Sequence, residues 1–200
     1  MTMIKDPVFG NAARVGEDNR LQVWAVAEPS AAARSHDGDA YISSVAQGGV
    51  RTLTLATVQT YALLALKNTS PDKLIAIDQI IVSLGAAGGI IFLTKNPTEG
   101  TLANNTAITP SNRNFASTNI AEAEANVWDE VGTAGITGFT VGEEFESEVL
   151  PAGVSQLAVD GALHLGQGNI LLLSIENPTG GAIEAAASIR YHFEPVESRV

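Results

Sequence analysis

The sequence predicts an all-β chain: a two-sheet antiparallel β-sandwich, jelly-roll-like, preceded by an extended N-terminal arm. Three observations predict it. Apolar runs stop repeatedly at one kind of turn, in Lys67-Asn68-Thr69-Ser70-Pro71, in Thr94-Lys95-Asn96-Pro97-Thr98-Glu99-Gly100 and in Glu176-Asn177-Pro178-Thr179-Gly180-Gly181. Asn tolerates left-handed backbone angles, Pro fixes φ and lacks a ladder donor, and Gly meets no steric barrier at positive φ. Three such stops predict strands that reverse at one rim. The second observation is period-two alternation, as in Ile189, Tyr191 and Phe193 against Ser188, Arg190 and His192. The third is the count: about eight β-rich segments with polar turns, the pattern of a sandwich.

The chain has 200 residues, the size of one domain or of one domain with an arm. Residues 1–57 predict the arm. Asp6-Pro7, Gly10-Asn11, Gly16-Glu17-Asp18-Asn19 and His36-Asp37-Gly38-Asp39 are turn signals. Between them 21–27 alternates as a strand, 31–34 predicts a helical turn capped by Ser30, and 40–45 and 51–56 are short extended segments. Its sparse apolar anchors, Phe9, Val23, Trp24 and Tyr41 among them, pack on its own domain, on a neighbouring subunit or on a scaffold, and are the candidate partner-binding residues.

Residues 58–200 predict the sandwich. The runs 61–66 and 74–84 are joined by Asn-Thr-Ser-Pro-Asp, a hairpin connector. In 74–84 strict alternation puts Leu74, Ala76, Asp78, Ile80 and Val82 on one face, and Ile75, Ile77, Gln79 and Ile81 on the other. Both faces are largely apolar, so this strand is expected to be covered on both sides. Gly85–Gly89 breaks the pattern before a strand at 90–94. Residues 96–125 are a long polar excursion, and loops beyond about 12–15 residues are commonly functional or ordered by a partner. A strand containing Trp128, a Gly/Thr-rich segment with Phe139, the alternating 143–150 and the runs 163–165, 169–176 and 183–193 complete the domain. The matching ends of 61–70 and 170–179 predict two strands of one sheet that stop at the same rim.

Charge narrows the function. A net charge of −11 argues against nucleic acid and anionic membranes, both of which attract Lys and Arg. No run reaches the ~18 apolar residues of a membrane span. The start lacks an apolar signal core, so the chain is expected to be made in the cytoplasm without a secretion signal. The absence of cysteine rules out thiol nucleophiles, Cys-ligated zinc and disulfides. Only 16% of residues are charged and mean hydropathy is +0.14, which predicts either a generous core or, the favoured reading, surface covered in an oligomer or a larger assembly.

No motif carries catalysis. His36, His164 and His192 show no metal-ligand spacing and read as surface or hydrogen-bonded histidines. His36-Asp37-Gly38-Asp39 lacks the rest of a calcium loop and reads as a tight turn. Alternation places Glu144, Glu146 and Glu148 on one face of a strand, a solvated stripe or an acidic patch meeting a basic partner rather than a pair of catalytic carboxylates, which normally come from different elements. Gly85–Gly89 lacks the lysine of a phosphate loop, and no nucleophile elbow is present. The expectation is a non-enzyme with no metal, no cofactor and no catalytic residues.

The order Tyr61-x-Leu-Leu-x-Leu-Lys-Asn-Thr-Ser70, Leu74-Ile-x-Ile-x-x-Ile80, Lys95-Asn-Pro-Thr-x-Gly-Thr-Leu102 resembles β-sandwich structural proteins of tailed-bacteriophage virions. The resemblance continues in Asn112-Arg-Asn-Phe-Ala-Ser117, Asp160-Gly-Ala-Leu-x-Leu-Gly-x-Gly-Asn169, the strand 170–177 and the closing Ile189-Arg-Tyr-x-Phe193, covering roughly residues 60–194. It implies a capsid decoration, or cement, protein on the capsid surface: a homotrimer whose N-terminal arm grips the major capsid protein. It carries over no catalytic residue. On this expectation, deleting residues 1–40 abolishes particle binding and leaves the sandwich folded. The alternative is a tail- or head-fibre-associated host-recognition protein that binds glycans through its long loops; a sandwich-fold hydrolase ranks third.

Overall fold

The computed structural model describes residues 3–5, 12–15, 21–23, 34–35, 37–48, 53–55, 60–85, 87–95, 98–99, 105–128, 139–140, 143–179 and 181–196. The strands are β1 (Met3–Lys5), β2 (Ala12–Val15), β3 (Leu21–Val23), β4 (Ala40–Ser44), β5 (Leu53–Leu55), β6 (Thr60–Asn68), β7 (Lys73–Leu84), β8 (Gly89–Lys95) and β9 (Thr98–Glu99). There follow β10 (Asn105–Ile108), β11 (Ser111–Asn112), β12 (Ala123–Trp128), β13 (Phe139–Thr140), β14 (Glu143–Leu150), β15 (Gly153–Leu165), β16 (Ile170–Glu176) and β17 (Ile183–Pro195).

Two antiparallel sheets make the sandwich, in the orders β10-β12-β6-β16-β8-β14 and β11-β4-β17-β7-β15, with β5 also paired to β17. The pairs β4–β17, β6–β16, β7–β15 and β8–β14 nest one inside the next along the chain. This is one long antiparallel ribbon rolled up. Numbering those strands one to eight in chain order gives sheets 1-8-3-6 and 2-7-4-5, the jelly-roll arrangement of two Greek keys. The tip of the ribbon, between β8 and β14, holds the excursion that adds β10 and β12 to one sheet and β11 to the other.

The core lies between the sheets. Leu64, Leu66, Leu171, Leu173, Ile91 and Leu93 from one face meet Ile75, Ile77, Ile80, Val82, Ile189 and Tyr191 from the other, all buried. Each such side chain contributes about 1.5–3 kcal/mol relative to exposure. Tyr41 stacks on Tyr191 with ring centres 5.9 Å apart, and Phe193 stands edge-on to both.

Several sequence expectations are corrected here. The sandwich begins well before residue 57. β4 pairs with β17 from Ser44↔Ser188 to Ala40↔His192, and β5 pairs with its other end, so the segments 40–44 and 53–55 are sandwich strands. Upstream, β1, β2 and β3 form a three-stranded antiparallel sheet. A deletion through residue 40 therefore cuts into β4. The strands covered on both faces are β6 and β16, where Tyr61–Leu66 and Ile170–Ile175 are buried without interruption; Ala62, Ala65, Ile170 and Leu172 form a second apolar cluster. In β7 the strict alternation is broken. Gln79 pairs with Arg190 and Ile77 with Tyr191, leaving Asp78 as the extra residue of a bulge. A bulge reverses the side-chain phase, so Ile75 and Ile77 face the core before it and Ile80, Val82 and Leu84 after it.

The asparagine turns work as expected but not at one rim. β16 runs antiparallel to both β6 and β8, so the stops after β6 and β8 share a rim and the stop after β16 lies at the opposite one. The turns at Asn68 and Asn177 are Asx turns, and Asn96 lies outside the described residues. The Asn68 side-chain oxygen accepts from the Ser70 amide at 2.8 Å, and that of Asn177 accepts from the Thr179 amide at 2.9 Å. The expected hairpin is corrected: β6 and β7 lie in different sheets, and the 68–72 turn crosses between them. The fully buried Asn68 amide also donates to the carbonyls of Lys73 at 2.8 Å and Leu165 at 2.7 Å, tying that crossing to β15.

Candidate functional site

Two features stand out: a loop that displays apolar side chains at one side of the sandwich, and a closed charged cluster on the sheet behind it. The loop is 113–122, between β11 and β12, inside the excursion expected to be functional or ordered by a partner. The chain orders it by itself. Asn112 accepts from the Asn114 amide at 2.8 Å, Asn114 from the Ala116 amide at 3.1 Å, and Ser117 from the Asn119 amide at 3.1 Å. Alternating Asn and Ser thus supply the turn contacts that a backbone ladder would supply elsewhere.

The loop is also fastened to the sandwich. The Asn112 side chain donates to the Gly38 carbonyl at 2.7 Å, and the Arg113 amide donates to the Ala40 carbonyl at 2.8 Å. Gly38 lies against Ser117 at φ +79°, and a Cβ there would collide with the Ser117 hydroxyl. On this frame Phe115 is 99% exposed and Ile120 80% exposed. Beside Ile120 runs an open groove of about 400 Å³ walled largely by small side chains, among them Ala107, Pro110, Ala121, Ala123 and Ala125. A fixed loop holding a bare phenylalanine loses little further entropy on docking.

The charged cluster forms where the β7 bulge turns Asp78 toward β17. His192 is fully buried on β17. Its Nδ1 lies 2.7 Å from Asp78 Oδ1 and its Nε2 lies 3.0 Å from Glu194 Oε1. Arg113, from the base of the loop, donates to Asp78 Oδ2 at 3.3 Å, and His164 Nε2 on β15 lies 3.5 Å from Glu194 Oε2. His192 and His164 both pair with Ala76, on either side of β7. Burial pushes the His192 imidazole down, but the hydrogen bonds and charges of Asp78 and Glu194 outweigh it and hold the group above its ordinary value. The hydrogen bond to His192 holds Glu194 below the usual carboxylate range against its own partial burial. The cluster has no opening to a substrate at His192, whose two nitrogens are both engaged.

Of the anchors predicted from the sequence, Tyr41 is corrected. It is 1% exposed, packed in the aromatic core on Tyr191 and Phe193, and presents nothing to a partner. Val23 closes β3 opposite Ala13. Phe9 and Trp24 lie outside the described residues. At 34–39 the Gly38 and Asp39 amides donate back to the carbonyls of Ser35 and Arg34 with Gly38 at φ +79°, the paired bonds of a Schellman helix end where a tight turn was expected.

The glutamate stripe is also corrected. A bulge between Glu144 and Glu146 splits it. Glu144 lies opposite Thr94, whereas Glu146 and Glu148 lie opposite Leu93 and Ile91, on the core side of the sheet. All three stay exposed, because β14 is the sheet edge. Inward-pointing charges and a bulge on an edge strand block edge-to-edge pairing with another sheet.

Sequence reasoning missed Phe115, Ile120 and Asp78. The available signal for the loop was the Asn and Ser spacing of 112–119. The signal for Asp78 was a lone carboxylate inside an apolar strand, matched by His192 inside another. Comparison of the chain with protein-family models, curated proteins and solved structures finds no match. The fold defines the class, a two-sheet antiparallel β-sandwich of jelly-roll order.

Proposed function

We propose that this chain is a structural protein of a tailed-bacteriophage virion that decorates and stabilises the capsid by binding the major capsid protein, as a homotrimer on the capsid surface. The observation that carries the reading is the 113–122 loop: a self-ordered, sandwich-anchored loop that holds Phe115 and Ile120 in solvent. Such a surface suits docking onto a preformed lattice. The jelly-roll order supports it, since capsid proteins are among the proteins built on this fold, and so does the motif order resembling phage virion proteins. The closed state of the His192 cluster supports a non-enzymatic role. A protein that binds only the expanded lattice stabilises that lattice by linkage.

The test is co-sedimentation of the purified protein with capsids stripped of it, for wild type and Phe115→Asp. The expected result is saturable binding by wild type and loss of binding by the variant with an unchanged circular dichroism spectrum. Full-affinity binding by Phe115→Asp would remove the loop from the interface. Binding to host surface glycans in place of capsids would favour the host-recognition alternative.

A further inference from the structure

The 113–122 loop and the groove beside it differ in charge from the chain as a whole, which carries a net −11. The loop contains two charged residues, Arg113 and Glu122, and the groove wall contains one, Glu124. Each has its counterion within the chain. Arg113 Nη1 lies 3.3 Å from Asp78 Oδ2, Glu122 Oε1 lies 3.6 Å from Lys73 Nζ, and Glu124 Oε2 lies 3.4 Å from Lys67 Nζ. With these partners the loop and the groove wall carry no net charge.

Acid is concentrated elsewhere. Glu143, Glu144, Glu146 and Glu148 are exposed on β14, and among the described residues Glu143 alone of the four has an ion-pair partner, Lys95 at 3.3 Å. β14 and β10 are the two edges of one six-stranded sheet, so the acidic strand lies at the edge opposite the groove, which borders β10 and β12.

The polar side chains of the loop are engaged in its own order. Asn114 and Ser117 accept from amides within it, and Asn119 donates to the Asp37 carbonyl at 3.4 Å. What the loop offers a partner is apolar relief. The Phe115 ring stands 99% exposed, and only a concavity on another molecule can enclose such a ring, which then buries about 150–250 Å². The groove is the inverse shape. Its small alanine walls leave about 400 Å³ beside Ile120, room for an apolar side chain from outside. A second copy presents the same neutral loop but brings a further −11 with it, and that repulsion favours a different chain as the occupant.

We infer that this face docks on an uncharged, apolar patch of the major capsid protein: Phe115 enters a socket there, and an apolar side chain of that patch enters the groove beside Ile120. The inference rests on the capsid reading and supplies the chemistry of its contact. The contact forms without ion pairs and leaves the acidic β14 edge outside it.

The test is the affinity of the full chain for stripped capsids as NaCl rises from about 0.1 M to about 1 M, which shortens the Debye length from about 10 Å to about 3 Å. The expected result is affinity that holds within about threefold or tightens, as apolar contacts do. Ala107→Trp, which fills the groove from an exposed position, should weaken binding about tenfold or more, because a partner anchor loses its pocket. The triple variant Glu144→Gln, Glu146→Gln and Glu148→Gln should bind like wild type. A salt-driven fall beyond about threefold, or full-affinity binding by Ala107→Trp, would overturn the inference and leave the capsid reading standing. Dissociation of a wild-type oligomer by Phe115→Asp, read as mass in light scattering, would assign the face to a second copy and overturn it likewise. If wild type binds no capsid at any salt, the capsid reading fails, and nuclear magnetic resonance of the ¹⁵N-labelled chain titrated with indole, an uncharged aromatic probe, decides the chemistry of the face. Saturable shifts at the Ala107, Ala121 and Ala125 amides, indifferent to NaCl and lost in Ala107→Trp, would keep an apolar occupant. Their absence would remove it.

Discussion

Asn68 offers the sharpest test of how the ribbon is rolled. Its fully buried side chain accepts one hydrogen bond, from the Ser70 amide, and donates two, to the carbonyls of Lys73 and Leu165. Asn68→Ala deletes all three. At about 1 kcal/mol net for each, plus about 1–3 kcal/mol for the buried Leu165 carbonyl left without its donor, the loss is about 4–6 kcal/mol. With a urea slope of about 2 kcal/mol/M, the unfolding midpoint falls by about 2–3 M, read by circular dichroism. Asn68→Asp sharpens the argument. It keeps the acceptor that makes the Asx turn but replaces both donors with an anionic oxygen facing two carbonyls, so it should be at least as damaging as Ala. If Asn68→Asp unfolded within about 0.5 kcal/mol of wild type, the turn alone would matter and the tie to β15 would be refuted.

Three further outcomes follow from the geometry. Gly38→Ala forces a side chain into a φ of +79° and against Ser117, so it should lose about 2–4 kcal/mol and open the 113–122 loop to protease; unchanged melting and digestion would contradict the close approach. The His192 imidazole is raised above 6.5 on folding, so its contribution is full below pH 6.5 and is lost as pH rises through the folded value; Glu194 is depressed below 4.5, so its contribution is full above pH 4.5 and is lost as pH falls through its folded value. Melting temperature should therefore peak between about pH 4.5 and 6.5, and His192→Gln should flatten the alkaline side, a result that a pH-independent melting curve would rule out. Replacing both Glu146 and Glu148 with Val should expose a bare sheet edge and drive association, visible as a mass increase in light scattering, whereas a monodisperse variant of unchanged mass would mean those charges do not guard the edge.

The strands were legible where local chemistry marks them. The unbroken runs in β6 and β16, the asparagine stops that end them and the alternation of β17 predicted a two-sheet sandwich, and the structure has one. What was illegible depends on pairing across long sequence distances. Tyr41 read as a solitary anchor because nothing near it shows that β4 lies beside β17, about 150 residues away, where Tyr41 meets Tyr191. Single-residue bulges at Asp78 and beside Phe145 reversed the faces of β7 and β14, and periodicity counted without them assigned Ile80, Val82 and Glu144 to the wrong sides. The His192 cluster draws one residue from each of several strands and a loop, so no linear spacing reveals it. The loop was recognised as an excursion, but its side-chain turns and the exposure of Phe115 emerge only from the folded chain.

The capsid reading is tested most directly by immunogold electron microscopy of the parent virus particles, using antibody to the purified protein. The account predicts dense label over the heads, removed together with the protein when particles are stripped. Label confined to tails or fibres, or no label on intact particles, would contradict it.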